Sequence, residues 1–253
     1  MSLNRINNNN SLAMTLLKGR TLIVLAVLVV FFSLATPNFL TANTMLLLAK
    51  HVALYGILAM TYVIITGGID LSVGAVVGLA GMIAGGMIQN GVTLQTFGVT
   101  LYFDVPLVVA ITVLAGALIG LLNGTIITRF GVAPFIATLG TMYIARGFAM
   151  LHSGGATYSS ILGKTALGNT GFDFFGSRIA GVPVGALILA VIAVIAAALL
   201  MKTTFGWHIF AIGGNSKAAK LSGVKVNKVT ILVYVFSGIC AAIVGIITAS
   251  QLE

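Results

Sequence analysis

The chain has 253 residues, of which 59% are apolar and only 7% charged, and its mean hydropathy is +1.14. A soluble domain carries roughly a quarter of its residues as charges, so this composition excludes a water-soluble globule and points to an integral membrane protein. The net charge of +9 does not mark a nucleic-acid binder, because the basic residues fall between apolar segments instead of clustering on one polar domain.

Taken in chain order, residues 1–15 are polar, carry the Asn7–Asn10 run and read as a disordered cytoplasmic N-terminus. Residues 16–253 then read as an all-α polytopic bundle of about seven spans, each an apolar run of about 17–25 residues. The runs are 16–35, 45–66, 71–88, 106–128, 132–151, 183–201 and 229–250. Within the first run, Lys18 and Arg20 before Thr21–Phe32, with Ser33-Leu-Ala35 after it, imitate a secretory signal. Spanning segments follow directly, so the run is expected to remain as an uncleaved anchor.

Basic residues set the orientation, since Lys and Arg concentrate in cytoplasmic loops. With the N-terminus inside, Arg5, Lys18, Arg20, Arg129, Lys202, Lys217, Lys220, Lys225 and Lys228 are cytoplasmic, against Lys164 and Arg178 outside. Lys50 and Arg146 sit near outer span ends, where long side chains reach the interface. The long polar stretch 152–182 becomes an outer loop and 202–228 a cytoplasmic one.

Glycine is abundant, and small residues recur four apart at Gly74/Gly78, Gly81/Gly85, Gly116/Gly120/Gly124 and Ala241/Gly245. Each series gives a flat ridge suited to close helix crossings. The lone Cys240 lies in an apolar run, forms no intrachain disulfide and reads as a packing residue.

Asp70 is one of only four acids. A carboxylate within a bilayer needs an end, a cavity or a partner. Gly67-Gly68 precede it and an apolar run follows, so Asp70 is placed to cap the third span by accepting from the N–H of Ser72 or Val73. A capping role is compatible with lining a wet passage, the one setting besides burial where broken helix is tolerated at membrane depth.

The cytoplasmic loop begins with a Gly213-Gly214-Asn215 turn, runs through helix-prone Ala218-Ala219 and breaks at Gly223. Such a short exposed helix suits docking to a cytoplasmic partner; the alternative is a basic loop resting on anionic membrane lipid.

Thr66-Gly-Gly-Ile-Asp-Leu-Ser-Val-Gly74, Asn123-Gly124, Ala133-Pro-Phe-Ile-Ala-Thr-Leu-Gly140, Arg146-Gly147, Ala211-Ile-Gly-Gly-Asn215, Ala218-Ala219 and Leu221-Ser-Gly-Val224 together closely resemble the ribose-type permeases of bacterial ABC importers, from about Pro37 onward. The resemblance implies an inner-membrane subunit that pairs with a second copy and receives a monosaccharide such as ribose, or a related small polar solute, from a periplasmic solute-binding protein. Cytoplasmic ATP-binding subunits would drive it, holding the ATP and Mg, with no cofactor and no catalytic residue on this chain. The match places coupling to the ATPase on Gly213, Gly214, Asn215, Ala218, Ala219, Ser222 and Gly223. Gly68, Asp70, Ser72, Gly74, Asn123, Phe135 and Thr138 become the pore or gating candidates. Similar permeases continue for several tens of residues, with roughly three more spans for about ten in all. The present chain thus reads as either a fragment or a shortened form.

An ion-gradient-driven secondary transporter is the competing expectation. It would use intramembrane ionisable groups, of which the spans offer only Lys50, His51, Arg146 and the terminally placed Asp70. A membrane enzyme is disfavoured because the sequence has no HExxH, GxSxG or paired-carboxylate pattern, and no GxxxxGK[ST] loop for binding ATP itself.

Overall fold

The computed structural model describes the backbone of residues 3–252 and the side chains of residues 19–252. The chain divides into two compact units, residues 1–48 and 49–253. In the first, helix α1 runs over Leu3–Ala35 and so takes in residues 3–15, where the sequence led us to expect disorder. Once a helix is nucleated, each added residue gains a backbone hydrogen bond, which lets the ladder of the apolar segment extend through the polar asparagines. Phe32 and Phe39 stack at 5.8 Å across the turn that follows.

Helix α2, Ala42–Ala59, crosses into the second unit. There follow α3 (Val73–Gln89), α4 (Val105–Phe130), α5 (Pro134–Ser153), α6 (Val184–Lys202), α7 (Thr204–Leu221) and α8 (Val226–Ser250). By length and apolarity α2, α4, α5, α6 and α8 qualify as membrane spans, and Gly19–Ala35 and α3 are shorter apolar helices. These seven segments correspond to the seven expected runs, and the protein is an all-α multi-pass membrane bundle.

α8 is the central element, with most of its side chains buried against α3 and α4. The crossing with α4 is made by glycine: a Cβ on Gly116 would run into the Gly238 carbonyl oxygen and one on Gly238 into that of Gly116, while one on Gly124 would stand 2.7 Å from Ile231 Cα. Backbones meet directly here, so dispersion accumulates where hydrophobicity offers nothing between lipid and protein. The α3 crossing is similar, a Cβ on Gly245 standing 2.5 Å from the Val77 carbonyl oxygen. Gly74 and Gly78 face open space instead.

Three boundaries differ from expectation. The second span is not helical to residue 66: α2 stops at Ala59, and residues 60–72 run as turns and extended chain. Gly67, at φ +76°, takes a left-handed turn within this irregular segment. The loop 202–228 is mostly helix, because Thr203 accepts from the Gly206 N–H at 3.3 Å and starts α7 one residue after α6 ends. The stretch 152–182 is an ordered cap carrying two 3-10 turns and a two-residue hairpin. Asn169 pins it, donating through Nδ2 to the Ile88 carbonyl at 2.8 Å and accepting from the Lys164 N–H at 2.7 Å. A further hairpin, β1 (Val92–Leu94) with β2 (Val99–Leu101), joins α3 to α4; nothing in the hydropathy pattern signals it.

A buried polar hub at a broken span, and the kinked helix beside it

Asp70 lies in the non-helical segment just before α3. Its Oδ1 accepts from the Ser72 N–H at 3.0 Å and from Ser72 Oγ at 2.6 Å, and its Oδ2 accepts from Ser237 Oγ of α8 at 2.8 Å. The expected bond to the Ser72 N–H is present, though Ser72 itself occupies the N-cap position of α3. From Ser72 the network continues: Asn123 Nδ2 of α4 donates to Ser72 Oγ at 2.9 Å, and Thr141 Oγ1 of α5 donates to Asn123 Oδ1 at 2.6 Å. Ser72, Asn123, Thr141 and Ser237 are all buried.

The carboxylate thus bonds the start of α3 and α8 directly, through hydroxyl and backbone N–H donors, and the network reaches α4 and α5 through Ser72 and Asn123. This satisfies the condition for a charge inside an apolar bundle without placing a cation beside it. Thr138 of α5, fully buried, closes the neighbouring turn by accepting from the Leu71 N–H at 3.1 Å while its hydroxyl donates to the Pro134 carbonyl at 2.9 Å. The hub is therefore a tightly satisfied joint, holding the start of α3 by side-chain bonds where helical backbone is lacking.

Facing pairs Asp70/Ser237, Val77/Gly245 and Gly81/Ala249 advance together along α3 and α8, so the two helices run parallel. Ser237 is about eleven residues, roughly 16 Å, past the start of α8. Asp70 therefore stands at the N-terminal end of α3, as expected, while lying alongside the interior of α8. The unwound segment 60–72 fills the space below: Tyr62 donates to the Ala196 carbonyl at 2.6 Å and stacks on Phe236 at 5.0 Å.

Among the described residues one buried side-chain polar atom stays unpaired. Tyr234 of α8 is buried and its hydroxyl has no partner. A Cβ on Gly68 would stand 2.7 Å from that hydroxyl, so the tyrosine lies directly on the glycine that precedes the hub.

The second group of candidates lies on α7. Asn215 leaves helical geometry at φ −160°, ψ 103° and splits the helix. Its Oδ1 accepts from the N–H groups of Lys217 and Ala218 at 3.1 and 3.0 Å, capping a short second helix. That helix ends in paired return bonds, Gly223 N–H to the Lys220 carbonyl at 3.1 Å and Val224 N–H to the Ala219 carbonyl at 3.0 Å, with Gly223 at φ +87°. Ala218 and Ser222 are exposed, whereas Ala219 packs inward. A Cβ on Gly213 would collide with the Ile65 carbonyl oxygen, while Gly214 meets nothing within 4 Å. Gly213 is thus the residue that presses α7 onto the unwound segment, five residues from Asp70.

The structure sorts the pore candidates into two places. Gly68, Asp70, Ser72, Asn123 and Thr138 gather at the hub. Gly74 lines a groove between α3 and α5 with Gly78, Met142 and Arg146, and Phe135 is exposed on the first turn of α5. Thr141 and Ser237 join the hub although only their polarity within apolar runs marks them in the sequence, and no local signal singles out Tyr234. Among the described residues no group of three or more His, Cys, Asp or Glu is placed to hold a metal ion.

The family described as "Branched-chain amino acid transport system / permease component" matches residues 44–253. The chain is 40% identical over 233 residues to the ribose import permease protein RbsC of Bacillus subtilis, covering 90% of this chain and 67% of that protein. To the ribose import permease protein RbsC of Haemophilus influenzae it is 33% identical over 252 residues, 97% of this chain and 73% of the relative. The autoinducer 2 import system permease protein LsrD of an Enterobacter species is 34% identical over 233 residues, 91% and 68% of the two chains. No solved structure matches the chain.

Proposed function

Because the chain belongs to the branched-chain amino acid transport system / permease component family, we propose that it is the membrane-spanning subunit of a binding-protein-dependent ABC importer that carries a monosaccharide, ribose being the first candidate. The similarity to ribose import permeases supports the substrate class. Family membership also displaces the ion-gradient reading. The permease itself makes and breaks no covalent bond; ATP and Mg belong to separate cytoplasmic subunits, and the solute arrives from a periplasmic binding protein. The N-terminus lies in the cytoplasm, the protein resides in the inner membrane, and a second copy completes the translocation path.

The observation that carries the coupling part of this reading is the contact between Gly213 and the Ile65 carbonyl. The short capped helix after Asn215 is exposed enough to be gripped by an ATP-binding subunit. Any displacement of it passes through Gly213 into the unwound segment and on to Asp70, which bonds Ser72 at the start of α3 and Ser237 of α8 and reaches α4 and α5 through Ser72 and Asn123. The polar hub serves as the joint about which the spans move, and the α3/α5 groove with Gly74 and Arg146 offers the face along which solute passes.

Co-expression with an ATP-binding subunit of a ribose-type importer tests the proposal. Co-purification in detergent, together with ATP-dependent uptake of labelled ribose into vesicles on adding the binding protein, is the expected result. Absence of a stable ATPase partner would refute the importer reading; a stable complex that transports another solute would refute only the substrate.

A further inference from the structure

We propose that the pocket between α7 and the start of α8 binds the phosphate of an anionic lipid headgroup. The pocket, of about 360 Å³, is lined by Phe205 and His208 of α7 and by Lys225, Lys228, Val229 and Leu232. Lys225 and Lys228 also border the adjoining pocket beside Lys220. Among the described residues no acid, Asp70, Asp104 or Asp173, lines either pocket. Two exposed lysines therefore border one cavity that no carboxylate of the described residues lines.

Their position adds to the imbalance. Lys225 occupies the N-cap of α8, makes no capping bond, and Lys228 follows within the first turn. Helices favour anions at this end, where free N–H groups and the dipole are positive, and cations at the other. Two lysines here repel the helix terminus and each other until an anion is seated among them. The arrangement is unfavourable for the protein alone and favourable with a phosphate present.

The remaining wall identifies the anion as part of an amphiphile. Phe205, Val229 and Leu232 form an apolar side, and Leu232 is exposed and one turn deeper along α8 than Lys228. Trp207 and Phe210 are exposed on the neighbouring turns of α7, and tryptophan is enriched where headgroups meet hydrocarbon. A basic site of this kind at a span terminus suits a phosphodiester with acyl chains leaving over an apolar floor. The proposal needs only the membrane-spanning character of the chain and is independent of the transported solute.

Native mass spectrometry of the purified full chain, given equal phosphatidylglycerol and phosphatidylcholine of the same acyl composition, supplies the test. Phosphatidylglycerol should be retained preferentially, and Lys225→Gln with Lys228→Gln should reduce its retention by about tenfold. Leu232→Gln should also weaken it, whereas Lys202→Gln with Lys217→Gln, which removes equal charge outside the pocket, should leave it within about twofold. Excess inorganic phosphate should not displace the lipid. Equal retention of both lipids, equal loss in the two lysine pairs, or displacement by phosphate alone would each overturn the proposal. Unchanged lipid retention in the Lys225/Lys228 pair combined with loss of an ATP-binding subunit would overturn it too, assigning the pocket to protein contact.

Discussion

Ser237 Oγ donates to Asp70 Oδ2 at 2.8 Å, and that contact fixes how deep α3 begins, roughly 16 Å beyond the start of α8. A helix starting inside the bundle leaves its first N–H groups without partners. Asp70 answers one of them through Ser72 and Thr138 answers the N–H of Leu71 just before the helix. The same carboxylate that caps the short span thus also fastens it to the central helix.

Substitution at Asp70 separates these roles. Asparagine keeps one acceptor for Ser72 and turns an amide toward the Ser237 hydroxyl, which can accept; leucine removes the acceptor of the Ser72 N–H and of the Ser72 and Ser237 hydroxyls. An unmade buried hydrogen bond costs about 1–3 kcal/mol. Asp70→Asn should retain most of the monodisperse protein seen by fluorescence-detected size exclusion after heating, and Asp70→Leu should lose it. Equal thermal loss in the two variants would remove the hub from the account of stability.

Glycine at the α4–α8 crossing should be far less replaceable than glycine on the open face of α3. A valine at Gly238 drives its Cβ into the Gly116 carbonyl, backbone against backbone, while Gly74 meets nothing within 4 Å. Overpacking of this kind costs about 1–3 kcal/mol or more. Expression yield and heat resistance should therefore collapse for Gly238→Val and hold for Gly74→Val, in the same detergent.

These contrasts mark where the sequence was legible. Apolar run length located the five helices long and apolar enough to span and the two shorter apolar ones, because crossing a bilayer constrains length and polarity together. The Gly116/Gly120/Gly124 ridge was readable for the same reason: a four-residue spacing puts all three on one face. The end of the second span was not readable, since Thr61 to Thr66 is apolar enough to continue a helix and only tertiary partners such as Ala196, bonded by Tyr62, hold it unwound. α7 was hidden by its three glycines, Gly206, Gly213 and Gly214, which lower helix propensity yet serve close packing at two of the three positions. Asp70 and Asn123 were conspicuous as polar groups in apolar surroundings, whereas Tyr234 matters through what it touches, which no local pattern encodes.

The unpaired Tyr234 hydroxyl invites a double substitution. Gly68→Ala alone pushes a methyl against that hydroxyl, and Tyr234→Phe alone removes a buried polar atom that has no partner. The phenylalanine variant should be neutral to stabilising by up to about 1 kcal/mol. Alanine at Gly68 should destabilise the native background and be tolerated better beside phenylalanine, with a coupling of about 1 kcal/mol in thermal-stability measurements. Strict additivity would show that the backbone of residue 68, and not the tyrosine contact, sets the tolerance.

Asn215 provides the sharpest test of coupling. Its side chain caps the exposed helix through two N–H groups, so Asn215→Ala should cost that helix about 1 kcal/mol while Asn215→Ser, another good cap, should cost less. If an ATP-binding subunit grips this helix, its co-purification should fall in the alanine variant and recover in the serine one. Gly223→Val, forcing a β-branched residue into φ +87°, should lose the partner as well. Gly214→Ala, with open space around it, should keep the partner and transport, whereas Gly213→Ala, pressed against Ile65, should keep the partner yet lower transport. Retention of both by Gly213→Ala would mean that motion reaches the spans by some route other than the unwound segment.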